Sequence, residues 1–117
     1  QAAPFAVIDA DTGVLAGSMG VHDIDWRSRT GEVGYWVVRE MRGFGVATRA
    51  LRLLSSYCFD VLGLARLVLL ADVRNGGSQA VARKAGYVRE GVLRSAREIK
   101  GMRCDMVLHS LLPTDPR

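Results

Sequence analysis

The chain has 117 residues, 49% of them hydrophobic, with 16 basic and 12 acidic side chains and a net charge of +4. That length suits one domain with a modest core. No apolar run is long enough to span a bilayer and no charged-then-apolar leader opens the chain, so a cytoplasmic protein without a membrane partner is expected. The arginines are scattered, which argues against nucleic acid as a partner and suits general attraction of a polyanionic small molecule. Cys58 and Cys104 form neither a disulfide framework nor a metal-ligand spacing. Both read as core thiols, and no metal is expected.

In chain order, Phe5 to Ala10 reads as a strand closed by the turn signal Asp11-Thr12-Gly13. Val14 to Asp25 is a second, longer strand, bent or bulged at Gly17 or Gly20. A polar connection from Arg27 to Gly31 leads into a third strand, Glu32 to Val38, and the three should form an antiparallel meander. A loop with Gly43 and Gly45 follows, and a long amphipathic helix starts at once. Its apolar positions Val46, Ala50, Leu53, Leu54, Tyr57, Cys58 and Val61 recur at three-and-four spacing, and Gly63 is the stop signal.

Arg66 to Val73 is nearly all apolar, as a central strand covered on both faces would be. Asn75 is a good N-cap for a second helix, about Gly77 to Ala85, with Val81, Ala82 and Ala85 facing inward and Gly86 ending it. Tyr87 to Glu98 and Met102 to Leu112 form a hairpin turning near Lys100-Gly101, and Pro113 to Arg117 is a tail expected to fray. The order strand-strand-strand-helix-strand-helix-strand-strand gives a single α/β (α+β) domain over residues 1–117.

The passage from third strand to first helix is the chemically informative stretch. The first turn of a helix leaves N–H groups unpaired and carries partial positive charge. Gly43 and Gly45 lack a Cβ, so a phosphate could approach that backbone closely. It is not a P-loop, because no Gly-Lys-Ser/Thr follows, and it lacks the three-glycine spacing of a dinucleotide fingerprint. Two glycines alone would also serve a plain tight connection.

The loop reads Arg42-x-x-Gly45-x-Ala47, with Gly31-Glu32-Val33-Gly34-Tyr35-Trp36-Val37 before it and Asn75-Gly76-Gly77-Ser78 to Lys84-Ala85-Gly86-Tyr87 after it. In these motifs and their order the chain resembles the GNAT superfamily of N-acetyltransferases, in the branch of the ribosomal-protein N-terminal acetyltransferases, from about Phe5 to Leu112. The resemblance implies a mixed, mostly antiparallel sheet flanked by helices, and acetyl-CoA (coenzyme A) as cofactor. It implies that the backbone of Arg42, Gly43, Phe44, Gly45, Val46, Ala47 and Thr48 holds the pyrophosphate. It implies that Tyr35, Trp36, Val37 and Val38 carry the pantetheine. A backbone N–H near Val37 or Val38 would polarise the thioester carbonyl.

Many members of the superfamily place a tyrosine seven residues after the helix-capping asparagine, where this chain has Ala82. The ribosomal-protein branch places a serine three residues after it, and Ser78 matches. Asn75 and Ser78 then share one face of the helix start, where a hydroxyl could hydrogen-bond the leaving sulfur. Capping is the plainer role for both residues. Where relatives often read Thr-Glu-Ala after the loop, this chain has Thr48-Arg49-Ala50, which adds positive charge beside the phosphate cradle.

Glu32 is the first candidate for the base, acting directly or through water; an ordinary strand carboxylate is the competing reading. Strand alternation puts Glu32, Gly34 and Trp36 on one face and Val33, Tyr35 and Val37 on the other. An α-amine, which titrates near pH 8, needs only a weak base. His22, Asp23 and Asp25 on the preceding strand are alternates.

The expected partner is an amine acceptor, a protein N-terminus or a small molecule. The resemblance also implies a strand and one or two helices ahead of the Phe5 strand. Their absence here leaves a fragment, or an acceptor site completed by a second copy in a homodimer. A non-catalytic acyl-CoA-binding module is the alternative function. A basic nucleic-acid-binding domain has only net charge in its favour.

Overall fold

A computed structural model of the chain describes residues 3–8, 15–37 and 45–116, with the side chains of residues 6, 15, 16 and 37 outside that description. The predicted Asp11-Thr12-Gly13 turn and the loop positions Val38, Arg42, Gly43 and Phe44 therefore lie outside the described residues. Eight elements follow in order: β1 (Ala3–Ile8), β2 (Leu15–Asp25), β3 (Thr30–Val37), α1 (Val46–Asp60), β4 (Arg66–Asp72), α2 (Gly76–Lys84), β5 (Val88–Ile99) and β6 (Met102–Leu111). The strands form one sheet in the order β1-β2-β3-β4-β6-β5. All neighbours are antiparallel except β3 and β4, whose parallel pairing needs the α1 crossover.

The meander is present, and its irregularities sit where the chain must bend. The β1–β2 register shifts between Val7 and Ile8, opposite Gly17 and Leu15, so the anticipated bulge lies beside Gly17 and not at Gly20. A second shift falls between His22 and Asp25, where Asp23 takes a positive φ of 51°. Short polar side chains tolerate that left-handed region better than most. The Asp25 carboxylate then accepts the backbone N–H groups of Arg27 and Ser28 at 3.0 and 3.3 Å, closing the turn into β3.

Both helices lie on one face of the sheet. α1 packs on β2 and β3, and α2 on β4 and β5. They are tied to each other by Arg52, whose Nη2 donates to the Lys84 carbonyl at 2.6 Å. Between them and the sheet lies the core: Met19, Val21 and Val33 from the meander, Leu67, Leu69 and Ala71 from β4, and Leu51, Leu54 and Cys58 from α1. Gly31 shapes this layer. A Cβ there would come within 2.6 Å of the Val21 Cγ2 atom, so the glycine makes room for its neighbour's methyl group.

The buried stripe of α1 differs from the sequence expectation. Leu51, Leu54, Cys58 and Phe59 point inward with Thr48 and Ser55, while Leu53 and Val61 are exposed and Tyr57 lies at the surface against Phe5. Of the two polar members, Ser55 is satisfied twice over. Ser55 Oγ donates to the Leu51 carbonyl at 2.7 Å, and 2.7 Å separates it from the hydroxyl of Tyr87. Gly63 has φ +70°, which lets the chain return Leu64 N–H to the Cys58 carbonyl at 2.9 Å.

The remaining elements follow their signals. The Asn75 side chain accepts Ser78 N–H at 2.9 Å, and Gly86 ends α2 at φ +92°. Ala82 and Ala85 are buried and Val81 packs against them. Lys100 and Gly101, both at positive φ, make the tight turn between β5 and β6. Both cysteines are buried free thiols, and burial pushes Cys58 up to about 11.

Candidate active site

The parallel pairing of β3 and β4 stops early. It runs from Thr30↔Arg66 to Val33↔Leu69, whereas β3 continues to Val37 and β4 to Asp72. Past Val33 the two strands part. β2 still pairs β3 as far as Val37, and β6 still pairs β4 as far as Asp72. A wedge therefore opens in the middle of the sheet. The backbone of Tyr35, Trp36 and Val37 lies on one side and that of Leu70, Ala71 and Asp72 on the other. An extended chain with its own amides can enter such a gap as an added strand.

The start of α1 supplies the second feature. Its N-cap is Gly45 at φ +74°, with no side-chain cap, and the first turn holds no acidic residue. Its positive pole is thus not neutralised from within the helix. A Cβ on Gly45 would meet the Arg49 guanidinium at 3.0 Å, which places that cation over the helix start. Val46 and Ala47 are half-buried, whereas Thr48 is buried, which leaves its backbone N–H as the group it can turn to an anion.

On the helix-bearing side of the wedge, Tyr35 Oη and Ser78 Oγ lie 3.1 Å apart. Burial pushes the Tyr35 phenol above its ordinary value, so it stays protonated. Ser78 is placed by Asn75, which holds its N–H, and the two residues share the first turn of α2.

Glu32, Gly34 and Trp36 lie on the opposite face, as alternation requires. Glu32 does not stand alone there. Arg97 Nη2, from β5, donates to its two oxygens at 2.8 and 3.0 Å, and His22 Nε2 approaches at 3.5 Å. The ligand-capable atoms of His22, Asp23 and Glu32 lie within 4.8 Å of one another. The Arg97 guanidinium already balances the Glu32 charge, so a cation there would have to displace it. Beside this group a cavity of about 360 Å³ runs over Gly20 and Gly34, walled by Pro4, Ser18, His22 and Trp36. Tyr35 and Trp36 border both cavity and wedge.

The structure thus brings Tyr35, Trp36, Val37, Asn75 and Ser78 to the wedge, and Gly45, Val46, Ala47 and Thr48 to the adjoining helix start. Glu32 sits on the far face, at the Trp36 side. Sequence reasoning did not find Arg97 or the Tyr35–Ser78 contact. Arg97 comes from 65 residues beyond Glu32, and no local pattern marks it. The Tyr35 contact was available in part, since alternation turns that side chain towards the helices.

Comparison with known proteins fits this arrangement. The model of the acetyltransferase (GNAT) domain family matches residues 1–88. The chain belongs to the GNAT acetyltransferase family. It is 39% identical over 100 residues to YdaF of Bacillus subtilis, named as a candidate ribosomal N-acetyltransferase, covering 86% of this chain and 55% of that protein. It is 36% identical over 87 residues to the spermidine N(1)-acetyltransferase of Escherichia coli K12, covering 74% of this chain and 46% of that one. The crystal structure of ribosomal-protein-S5-alanine acetyltransferase from Vibrio fischeri superimposes with a TM-score of 0.90 at 27% identity, over 97% of this chain and 62% of the other. The chain spans about half the length of the curated relatives it matches. Among the described residues, no helix is long and apolar enough to cross a membrane.

Proposed function

We propose that this domain transfers an acetyl group from acetyl-CoA to a primary amine, by direct attack within a complex of both substrates. One observation carries the reading: the sheet opens between β3 and β4 beside a helix start that has a left-handed glycine and no acidic cap. The wedge offers main-chain partners to a pantetheine arm. The N–H groups of Val46, Ala47 and Thr48, with Gly45 leaving room for close approach, offer donors to a diphosphate. Arg42, Gly43 and Phe44 extend that cradle, and Val37 and Val38 supply the N–H that polarises the carbonyl.

Bound acetyl-CoA supplies the activated acyl group and the leaving thiol. Ser78 holds its hydroxyl at the wedge to hydrogen-bond the departing sulfur, and Asn75 and Tyr35 fix Ser78 in place. Glu32 provides the carboxylate of the base position on the acceptor side, directly or through water. The cavity over Gly20 and Gly34 is where the amine enters. The acceptor is a protein N-terminus or a small polyamine. Curated relatives are named for ribosomal-protein serine and for spermidine.

Calorimetry with acetyl-CoA, followed by free-thiol release over a panel of amines and peptides beginning with Ser or Ala, tests the reading. Binding with thiol release supports it. Binding without release for any amine would leave an acyl-CoA-binding module, which the alanine at position 82 also allows. Absence of binding would remove both.

A further inference from the structure

We infer that His22, and not the Glu32 carboxylate itself, is the group that takes the proton from the acceptor amine, with Glu32 and Arg97 as its positioning residues. The inference rests on the acetyltransferase reading above and narrows its base. The atoms decide the order. The Glu32 side chain is 17% exposed and both its oxygens accept from Arg97. The His22 side chain is 40% exposed and lies along the cavity. Its Nε2 faces Glu32 Oε2 at 3.5 Å and Asp23 Oδ2 at 3.9 Å. Two carboxylates on that side favour a proton on Nε2.

The other edge of the ring lies over Gly34. A Cβ built on Gly34 would sit 3.1 Å from His22 Cε1 and 3.7 Å from Nδ1. Gly34 thus gives the imidazole a floor to lie on, and a proton on Nε2 leaves Nδ1, above Gly34, as the acceptor. A ring nitrogen facing substrate, with its opposite nitrogen held against a carboxylate, is the base–orienter arrangement of nucleophilic enzymes. Here it would serve a substrate amine in place of a side-chain nucleophile. Three charged groups face the ring's surroundings: Asp23 on β2, Glu32 on β3 and Arg97 on β5.

The step balances as follows. His22 Nδ1 takes one proton from the substrate ammonium and passes it to solvent. The freed lone pair forms the C–N bond to the acetyl carbon while the C–S bond breaks. The second nitrogen proton ends on the coenzyme thiol.

The test uses the full chain with acetyl-CoA and a peptide beginning with Ser. His22→Gln should lower kcat/KM by about a hundred-fold, remove the acidic limb of its pH profile, and leave acetyl-CoA affinity unchanged. Arg97→Lys should keep most activity, and Arg97→Ala should lose more of it, because Glu32 is then no longer held. Nitrogen NMR of His22 in the free protein gives a readout independent of turnover. The neutral ring should carry its proton on Nε2. An intact acidic limb in His22→Gln, a neutral ring protonated on Nδ1, or activity lost to a chelator and restored by zinc would overturn the assignment. Failure of acetyl-CoA to bind would instead sink the parent reading and leave the NMR outcome to be judged alone.

Discussion

The hydroxyls of Tyr35 on β3 and Ser78 on α2 meet 3.1 Å apart, across the gap where two strands of one sheet have parted. Each residue belongs to a different side of the wedge, so the contact bridges the opening on its helical side. Position 82, which holds a tyrosine in many members of the superfamily, holds a buried alanine here. A phenol is nevertheless present at the site, delivered by the sheet instead of the helix.

This relationship predicts separable effects. Ser78→Ala removes the hydroxyl proposed to meet the leaving sulfur and should lower kcat by about a hundred-fold, at the low end of lost proton-transfer assistance. Tyr35→Phe keeps the ring and removes only its grip on Ser78, so a smaller loss is expected. Acetyl-CoA affinity should hold in both. Single-turnover kinetics beside calorimetry checks this, and equal loss of affinity in both variants would make the pair a binding element only.

The helix start makes a sharper prediction. Gly45 stands at φ +74°, where a residue with a Cβ pays about 1–2 kcal/mol. Gly45→Glu adds this strain and brings a carboxylate to the place proposed for a diphosphate. Acetyl-CoA binding should vanish in calorimetry while far-ultraviolet circular dichroism stays native. Unchanged affinity would show that the phosphates bind elsewhere.

Much of this was readable in advance, and the errors have a physical cause. Element order, the N-cap at Asn75, the glycine at the end of α2 and the Lys100-Gly101 turn are local signals, and each holds. The inward face of α1 is not a local property. Two apolar stripes overlap there, one through Leu53, Tyr57 and Val61 and one through Leu51, Leu54 and Cys58. Spacing fits both. Tyr87 and the sheet beneath decide for the second, and Ser55 is drawn into the core because a tyrosine hydroxyl awaits it. Strand alternation assigned Glu32 and Tyr35 to opposite faces. What each would meet there, Arg97 or Ser78, depended on packing between distant segments.

That buried pair gives the third prediction. Ser55→Ala leaves the Tyr87 hydroxyl without this partner in the interior, and should cost about 1–3 kcal/mol. Tyr87→Phe should cost less, because the Ser55 hydroxyl keeps the Leu51 carbonyl. Burial also pushes the Tyr87 phenol well above its ordinary value near 10. The folded state therefore holds this proton more tightly than the unfolded chain does. Its contribution is fully present below pH 10 and is lost as pH rises further. Urea titrations of both variants against pH would show it. A Ser55→Ala protein as stable as the parent would mean that water replaces the lost contact.

The acid limb of stability has a different owner. Arg66 donates to both Glu90 oxygens at 2.8 and 3.2 Å, and Ser110 donates to one of them. These bonds hold the Glu90 carboxyl down at about 2, below its usual 4.5. The folded value is the lower one, so the stabilisation is present above pH 4.5 and fades as pH falls towards 2. Glu90→Gln should flatten that part of the curve and lower stability at neutral pH, where the ion pair is fully formed. His109 shapes the region just above. Burial lowers its value from 6.5, and Nδ1 has no partner among the described residues, so stability should begin to drop as pH falls below 6.5, before Glu90 responds. His109→Gln should remove the first drop and Glu90→Gln the second. A single unsplit acid transition, unmoved by either substitution, would place the pH dependence on other carboxylates, with Asp72 under Arg74 the next to examine.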